Sequence, residues 1–164
     1  MTPASGGVLG VAEVAALCEA TTAPSRKIDI AIGLAVGGFY VAEPRYPGAQ
    51  PMYGYVDGDG NHVEPGNGSP DRLIPYYTGS LDAAYRLAPN GWFLRVEPRF
   101  YSDDQQVRWR SYAIKPDWTR WSPHDDWFEV IGEDEAILAA TPALAICAAA
   151  LRSAAEAARA GEGK

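Results

Sequence analysis

Apolar residues in 8–20 recur at helical spacing: Val11, Val14, Ala15 and Cys18 share a stripe, with Glu13 and Glu19 off it. Thr21-Thr22-Ala23-Pro24 breaks the pattern. Ser25 then stands where an N-cap belongs, with Asp29 near the first turn. Ile28, Ala31, Ile32, Ala35 and Val36 form the apolar face of a second predicted helix, which Gly37-Gly38 ends. A short third helix is expected over 80–87, capped by Thr78 or Ser80 and burying Leu81, Ala84, Tyr85 and Leu87. Pro89-Asn90-Gly91 stops it.

The period then changes from helical to alternating. Residues 92–97 and 106–114 read as two strands joined through a turn at Asp103-Asp104, and 127–131 as a third. Thr141-Pro142 is a strong helix start, with Thr as cap and Pro at the first helical position. Leu144, Cys147, Ala148 and Leu151 give that helix its inner stripe over 141–160, and Gly161 ends it. The Ala-rich turns Ala148-Ala149-Ala150 and Ala154-Ala155 could serve close helix packing between copies, so a homo-oligomer is expected as an option.

Residues 39–75 differ in composition, being rich in Pro and Gly. Within them Tyr53–Val56 and His62–Glu64 flank Asp57-Gly58-Asp59-Gly60-Asn61, which reads as a hairpin turn. The segment is an excursion within one domain, since the core stripes on either side need each other. Residues 1–7 form a loose tail. Helices, a strand meander and a long final helix together predict an α+β fold: one domain of an antiparallel sheet with helices packed on it.

Two blocks resemble a known family. Ile74-Pro75-Tyr76-Tyr77-Thr78-Gly79-Ser80-Leu81-Asp82-Ala83-Ala84-Tyr85-Arg86-Leu87, closed by Asn90-Gly91-Trp92, is answered by Ala140-Thr141-Pro142 and the run 143–151. The pair resembles the phage ABA-sandwich domain of small phage and prophage proteins. The resemblance covers the first two helices and residues 74–151, with 39–70 atypical. It implies a layered α+β sandwich and a phage or prophage setting, and it implies no reaction.

Composition narrows the function classes. The chain has 164 residues, enough for one domain with a real core. With 14 Lys+Arg against 21 Asp+Glu its net charge is -7, which disfavours a nucleic-acid duplex or an anionic membrane as partner. Neither a signal-peptide pattern nor a bilayer-length apolar run occurs, so a cytoplasmic location is expected, that of a bacterial host. The two cysteines, Cys18 and Cys147, lie on apolar stripes and read as buried free thiols in a reducing compartment.

Enzyme chemistry finds little support. The acids at 57–61 begin like an EF-hand loop, but His62 and Gly68 occupy the positions that require Gly and an acid, so no metal or other cofactor is expected. There is no nucleophile elbow and no phosphate-binding glycine loop between strand and helix. His124 beside Asp125 and Asp126 could serve a hydrolase as base or metal ligand, or be a polar turn.

What remains is an interleaved set of cations and aromatics: Arg95, Arg99, Arg108-Trp109-Arg110, Lys115, Trp118 and Arg120-Trp121. Alternation puts Arg108 and Arg110 on one strand face and Trp109 in the core. Guanidinium groups and rings suit a nucleotide-type ligand, and equally a protein interface or a solvated face with Arg–Glu pairs involving Glu97. Arg108, Arg110, Arg120, Trp121 and Arg95, with Tyr55 from the excursion, are the candidate ligand-binding residues. The expected function is a non-enzymatic phage accessory protein, active in counter-defence. It would sequester a nucleotide-like small molecule or block a host protein. The alternatives are an assembly component acting by self-association and a hydrolase built on His124.

Overall fold

Helix α1 (Val11–Ala20) buries Val14, Ala15 and Cys18, the stripe that the spacing predicts. Its first turn is closed by Glu13, whose carboxylate accepts from the Gly10 amide at 2.7 Å. The computed structural model describes residues 9–42, 47–48, 52–64, 73–101, 106–116, 128–131 and 137–162. The tail at 1–7 and the His124-Asp125-Asp126 turn lie outside them.

Helix α2 (Arg26–Ala35) follows, with Gly37 in the left-handed region (φ 74°) just past its C-cap. Ile28 and Ile32 are buried as expected, and Asp29 is buried with them. Ser25 holds the N-cap position, but its hydroxyl makes no capping bond. Thr78, distant in sequence, serves this end of the helix instead: its hydroxyl oxygen accepts from the Ser25 amide at 2.9 Å. Thr78 also donates to Asp29 Oδ1, from its amide at 2.7 Å and from its hydroxyl at 2.9 Å. Arg26 completes the network. It donates to the Pro75 carbonyl at 3.2 Å, lies 3.6 Å from Asp29 and sits 4.4 Å from the Tyr76 ring centroid. A buried carboxylate is tolerable only when bonded in this way. The Tyr76–Ser80 block is thus pinned to α2 by buried polar bonds.

The described residues of the excursion carry three strands. β1 (Phe39–Ala42), β2 (Met52–Val56) and β3 (His62–Val63) form an antiparallel sheet in the order β1-β2-β3, and α2 packs on β1. The expected hairpin at 57–61 is present. Asp57 Oδ1 accepts from the amides of Asp59 and Asn61, an Asx-type turn. β1 carries no alternation and was not legible.

α3 (Leu81–Tyr85) is capped by Ser80, whose hydroxyl accepts from the Ala83 amide. Its inner side differs from expectation. Ala84 is buried, whereas Leu81 and Tyr85 are exposed, because five residues make little more than one turn and present one narrow contact. The second sheet comprises β4 (Phe93–Tyr101), β5 (Gln106–Pro116), β6 (Phe128–Ile131) and β7 (Ile137–Ala139). β5 pairs with β4 on one side and with β6 and β7 on the other, all antiparallel.

α4 (Pro142–Glu162) is the centre of the molecule. Thr141 caps it by accepting from the Leu144 amide at 3.2 Å. It packs on β4, β5 and β7 from one side and on α1 and α3 from the other. Every residue from Ala143 to Leu151 is therefore buried, not one stripe. The expectation that Ala148-Ala149-Ala150 could serve packing between copies is corrected: these methyls are consumed inside the fold. The architecture is α+β, two small antiparallel sheets packed against four helices among the described residues.

Candidate functional site

The β4–β5 hairpin separates its residues by parity. Leu94, Ala113 and Ser111 point into the core, with Val96 and Trp109 packed beside them. The Ser111 hydroxyl donates to the Arg95 carbonyl at 3.0 Å and is satisfied there. The other face carries Arg95, Glu97, Arg99 and Tyr101 from β4, and Arg108, Arg110 and Tyr112 from β5. The register pairs Arg95 with Tyr112, Glu97 with Arg110 and Arg99 with Arg108.

One carboxylate organises this face. Glu97 accepts from the Tyr112 hydroxyl at 2.6 Å, and lies 2.8 Å from Arg99 and 3.5 Å from Arg95. The Tyr112 bond, with the Arg99 and Arg95 charges, holds the Glu97 carboxyl below the usual carboxylate range. The cation of Arg99 is stabilised in turn, through Tyr112 and Glu97. Arg95 and Arg99 still expose 66% and 50% of their side chains. Two further guanidinium groups lie over rings: Arg110 is 4.7 Å from the Tyr112 centroid and Arg108 is 5.4 Å from that of Tyr101.

Arg99 and Arg108 occupy directly opposed positions, where side-chain roots are about 5 Å apart and like charges disfavour the sheet. Four arginines and two tyrosines thus share one sheet face of an otherwise acidic chain, with Arg95 and Arg99 beside Glu97. Such a face offers an anion bidentate donors, and offers flat groups a stacking surface.

A groove of about 570 Å³ adjoins this face. One wall comes from the end of α1 and the bend after it, with Glu19, Thr21 and Thr22; the other comes from Val107, Arg108 and Leu138. Arg108 belongs to both the groove and the face. Arg152 grips Glu19 with two bonds of 2.8 Å and so fixes this end of α1 to α4.

Of the sequence candidates, Arg95, Arg108 and Arg110 are brought to one face. Tyr55 stands on β2 in the other sheet, opposite Phe39 and Val63. Arg120 and Trp121 lie outside the described residues. Tyr101 and Tyr112, which supply the rings, were not singled out from the sequence. The signal for Tyr112 was available, because 108, 110 and 112 share strand parity; Tyr101 lies beyond the strand expected over 92–97. Among the described residues no group of three His, Cys, Asp or Glu side chains could hold a metal ion. No helix among them is long and apolar enough to cross a membrane.

Both thiols are buried and unlinked. Burial pushes Cys18 up to about 12, with the charges of Glu19 and Asp29 adding to it, and pushes Cys147 higher still. The Cys147 thiol donates to the Tyr77 carbonyl at 3.4 Å. Neither is disposed to act as a nucleophile.

Comparison with known proteins yields no match to a family model, to a curated protein or to a solved structure.

Proposed function

We propose that this is a non-enzymatic binding protein that sequesters a phosphate-bearing, nucleotide-type small molecule on the outer face of β4–β5. One observation carries the reading: Arg95, Arg99, Arg108 and Arg110 share the outer face of β4–β5, the first two beside Glu97 and the last two over the rings of Tyr101 and Tyr112. Phosphate takes charge-assisted, bidentate bonds from guanidinium, and an aromatic ring beside it accepts a base. The inert thiols favour binding over nucleophilic chemistry. The likeness of 74–92 and 140–151 to phage ABA-sandwich proteins supports a phage setting, in which removal of a host nucleotide signal would serve counter-defence.

The reading is tested by titrating the protein with ATP at low salt and following tryptophan fluorescence. Saturable binding is expected, weakening as salt is raised. Arg108→Gln and Arg110→Gln are each expected to weaken it by about tenfold, as loss of a charge-assisted contact does. Absence of binding, or binding that ignores both substitutions, overturns the proposal.

A further inference from the structure

We infer that the groove between the end of α1 and the start of β5 takes the organic part of the ligand, and that the ligand class is a phosphomonoester of a hydroxylated carrier, such as a nucleoside or sugar monophosphate. This rests on the reading of the arginine face and adds the ligand's size, orientation and second contact surface.

Three observations lead there. The first is continuity: Arg108 lines the groove and also stands on the arginine face, opposite Arg99. Arg108 is thus the cation that groove and face share, and its guanidinium lies 5.4 Å from the Tyr101 ring centroid. The second is capacity. About 570 Å³ is far more than a phosphate ion needs and lies within the about 300–1,000 Å³ typical of small-molecule sites. The third is the polarity of the walls. The α1 side presents Glu19, Thr21 and Thr22, and the strand side presents Val107 and Leu138 with Gln106 beside them. The Thr21 hydroxyl donates to the Leu17 carbonyl at 2.7 Å, so its oxygen retains acceptor capacity only. The Glu19 carboxylate is an acceptor as well, and its bonds to Arg152 fix it in place.

A groove with Arg108 on one wall and Thr21, Thr22 and the Arg152-paired Glu19 on the other sorts ligands by polarity. It favours a molecule with an anion at one end, hydroxyl donors at the other and an apolar edge between. An uncharged nucleoside would forgo the Arg108 contact.

The test uses AMP, ribose 5-phosphate, adenosine and inorganic phosphate as probes, titrated calorimetrically against the full chain. AMP is expected to bind about tenfold or more tighter than adenosine or phosphate alone, because only the ester engages both surfaces. Ribose 5-phosphate matching AMP assigns recognition to phosphate and sugar; AMP binding tighter adds the base. Thr22→Trp, which fills the groove, should weaken AMP by about tenfold while phosphate stays within about twofold. Arg108→Gln should weaken both.

A second measurement does not depend on that bulky substitution. A Thr22→Cys variant carries one exposed thiol beside two buried ones, and AMP should protect it from a maleimide. Binding of AMP with no response from Thr22→Trp and no protection overturns the groove assignment and leaves the arginine face standing. Failure of AMP, ribose 5-phosphate and phosphate alike to bind the wild-type chain overturns both.

Discussion

Single residues decide two close approaches in this fold. Tyr40 lies directly across from Gly54, its ring covers the glycine, and it stacks on His62 with ring centroids 4.3 Å apart. A Cβ at position 54 would fall inside van der Waals contact with that ring. Gly54→Ala must therefore swing Tyr40 off both neighbours and should cost about 1–3 kcal/mol. In a Tyr40→Ala background the same change should cost almost nothing, and a double-mutant cycle by urea unfolding measures the difference. Thr78 is the other case. Its hydroxyl donates to Asp29 and accepts from the Ser25 amide, in a site that is 1% exposed. Thr78→Val keeps the shape and leaves a buried carboxylate short of a donor, so a loss of about 2 kcal/mol is expected. Thr78→Ser should recover most of it. Equal stability of the Val and Ser variants would show that the hydroxyl contributes nothing. By its local pattern this residue reads only as a possible cap for the helix after it. A bond to a helix about fifty positions earlier has no local signature.

At the scale of elements, periodicity was readable wherever one face is wet. The α1 stripe, the β4–β5 alternation and the Thr141-Pro142 start are all present as the pattern implies. It failed where the environment is uniform or the element short. β1 and β7 have too few residues to express a period, and α3 is little more than one turn. α4 failed differently. A stripe of Leu144, Cys147, Ala148 and Leu151 implies one buried side, yet sheet and helices enclose it from both. Small alanines on the remaining sides are what allow two layers to approach it. Ala148→Leu should then cost about 1–3 kcal/mol or more through overpacking. Ala157→Leu, on the exposed distal turns, should stay within about 0.5 kcal/mol. Thermal melts of the two variants check this, and similar melting temperatures would place Ala148 on a surface. The site was half legible for the same reason. Alternation grouped Arg108 with Arg110, but which strand pairs with β5, and in what register, is a tertiary fact, so the opposition of Arg99 and Arg108 was hidden.

For the whole molecule, titration sets the pH range over which the fold holds. On the acid side Glu97 is held low by Tyr112 and its arginines, and Asp57 by the backbone amide and side chain of Asn61. Their stabilising contribution is present above the unfolded carboxylate values, about pH 4, and fades as pH falls through the lower folded ones. Both groups remain in contact with solvent, so this limb is shallow. On the alkaline side the thiols act with the opposite sign. Burial pushes Cys18 up to about 12, whereas an unfolded cysteine ionises at about 8.5. Below that pH both states keep the proton and the contribution is complete. Above it the unfolded chain releases protons that the folded chain retains, so stability must fall as pH rises. Urea unfolding between pH 3 and 10 should therefore give a plateau from about 5 to 8, with an alkaline decline. Cys18→Ala lowers the whole curve through its cavity, but should flatten that decline. The same burial predicts that a thiol reagent at pH 8 labels neither cysteine in the folded protein and both in urea. Rapid labelling of the folded chain would mean that α1 and α4 open readily around Cys18 and Cys147. The inner faces of those two helices would then not be the rigid support that holds Glu19 and Arg152 beside the groove.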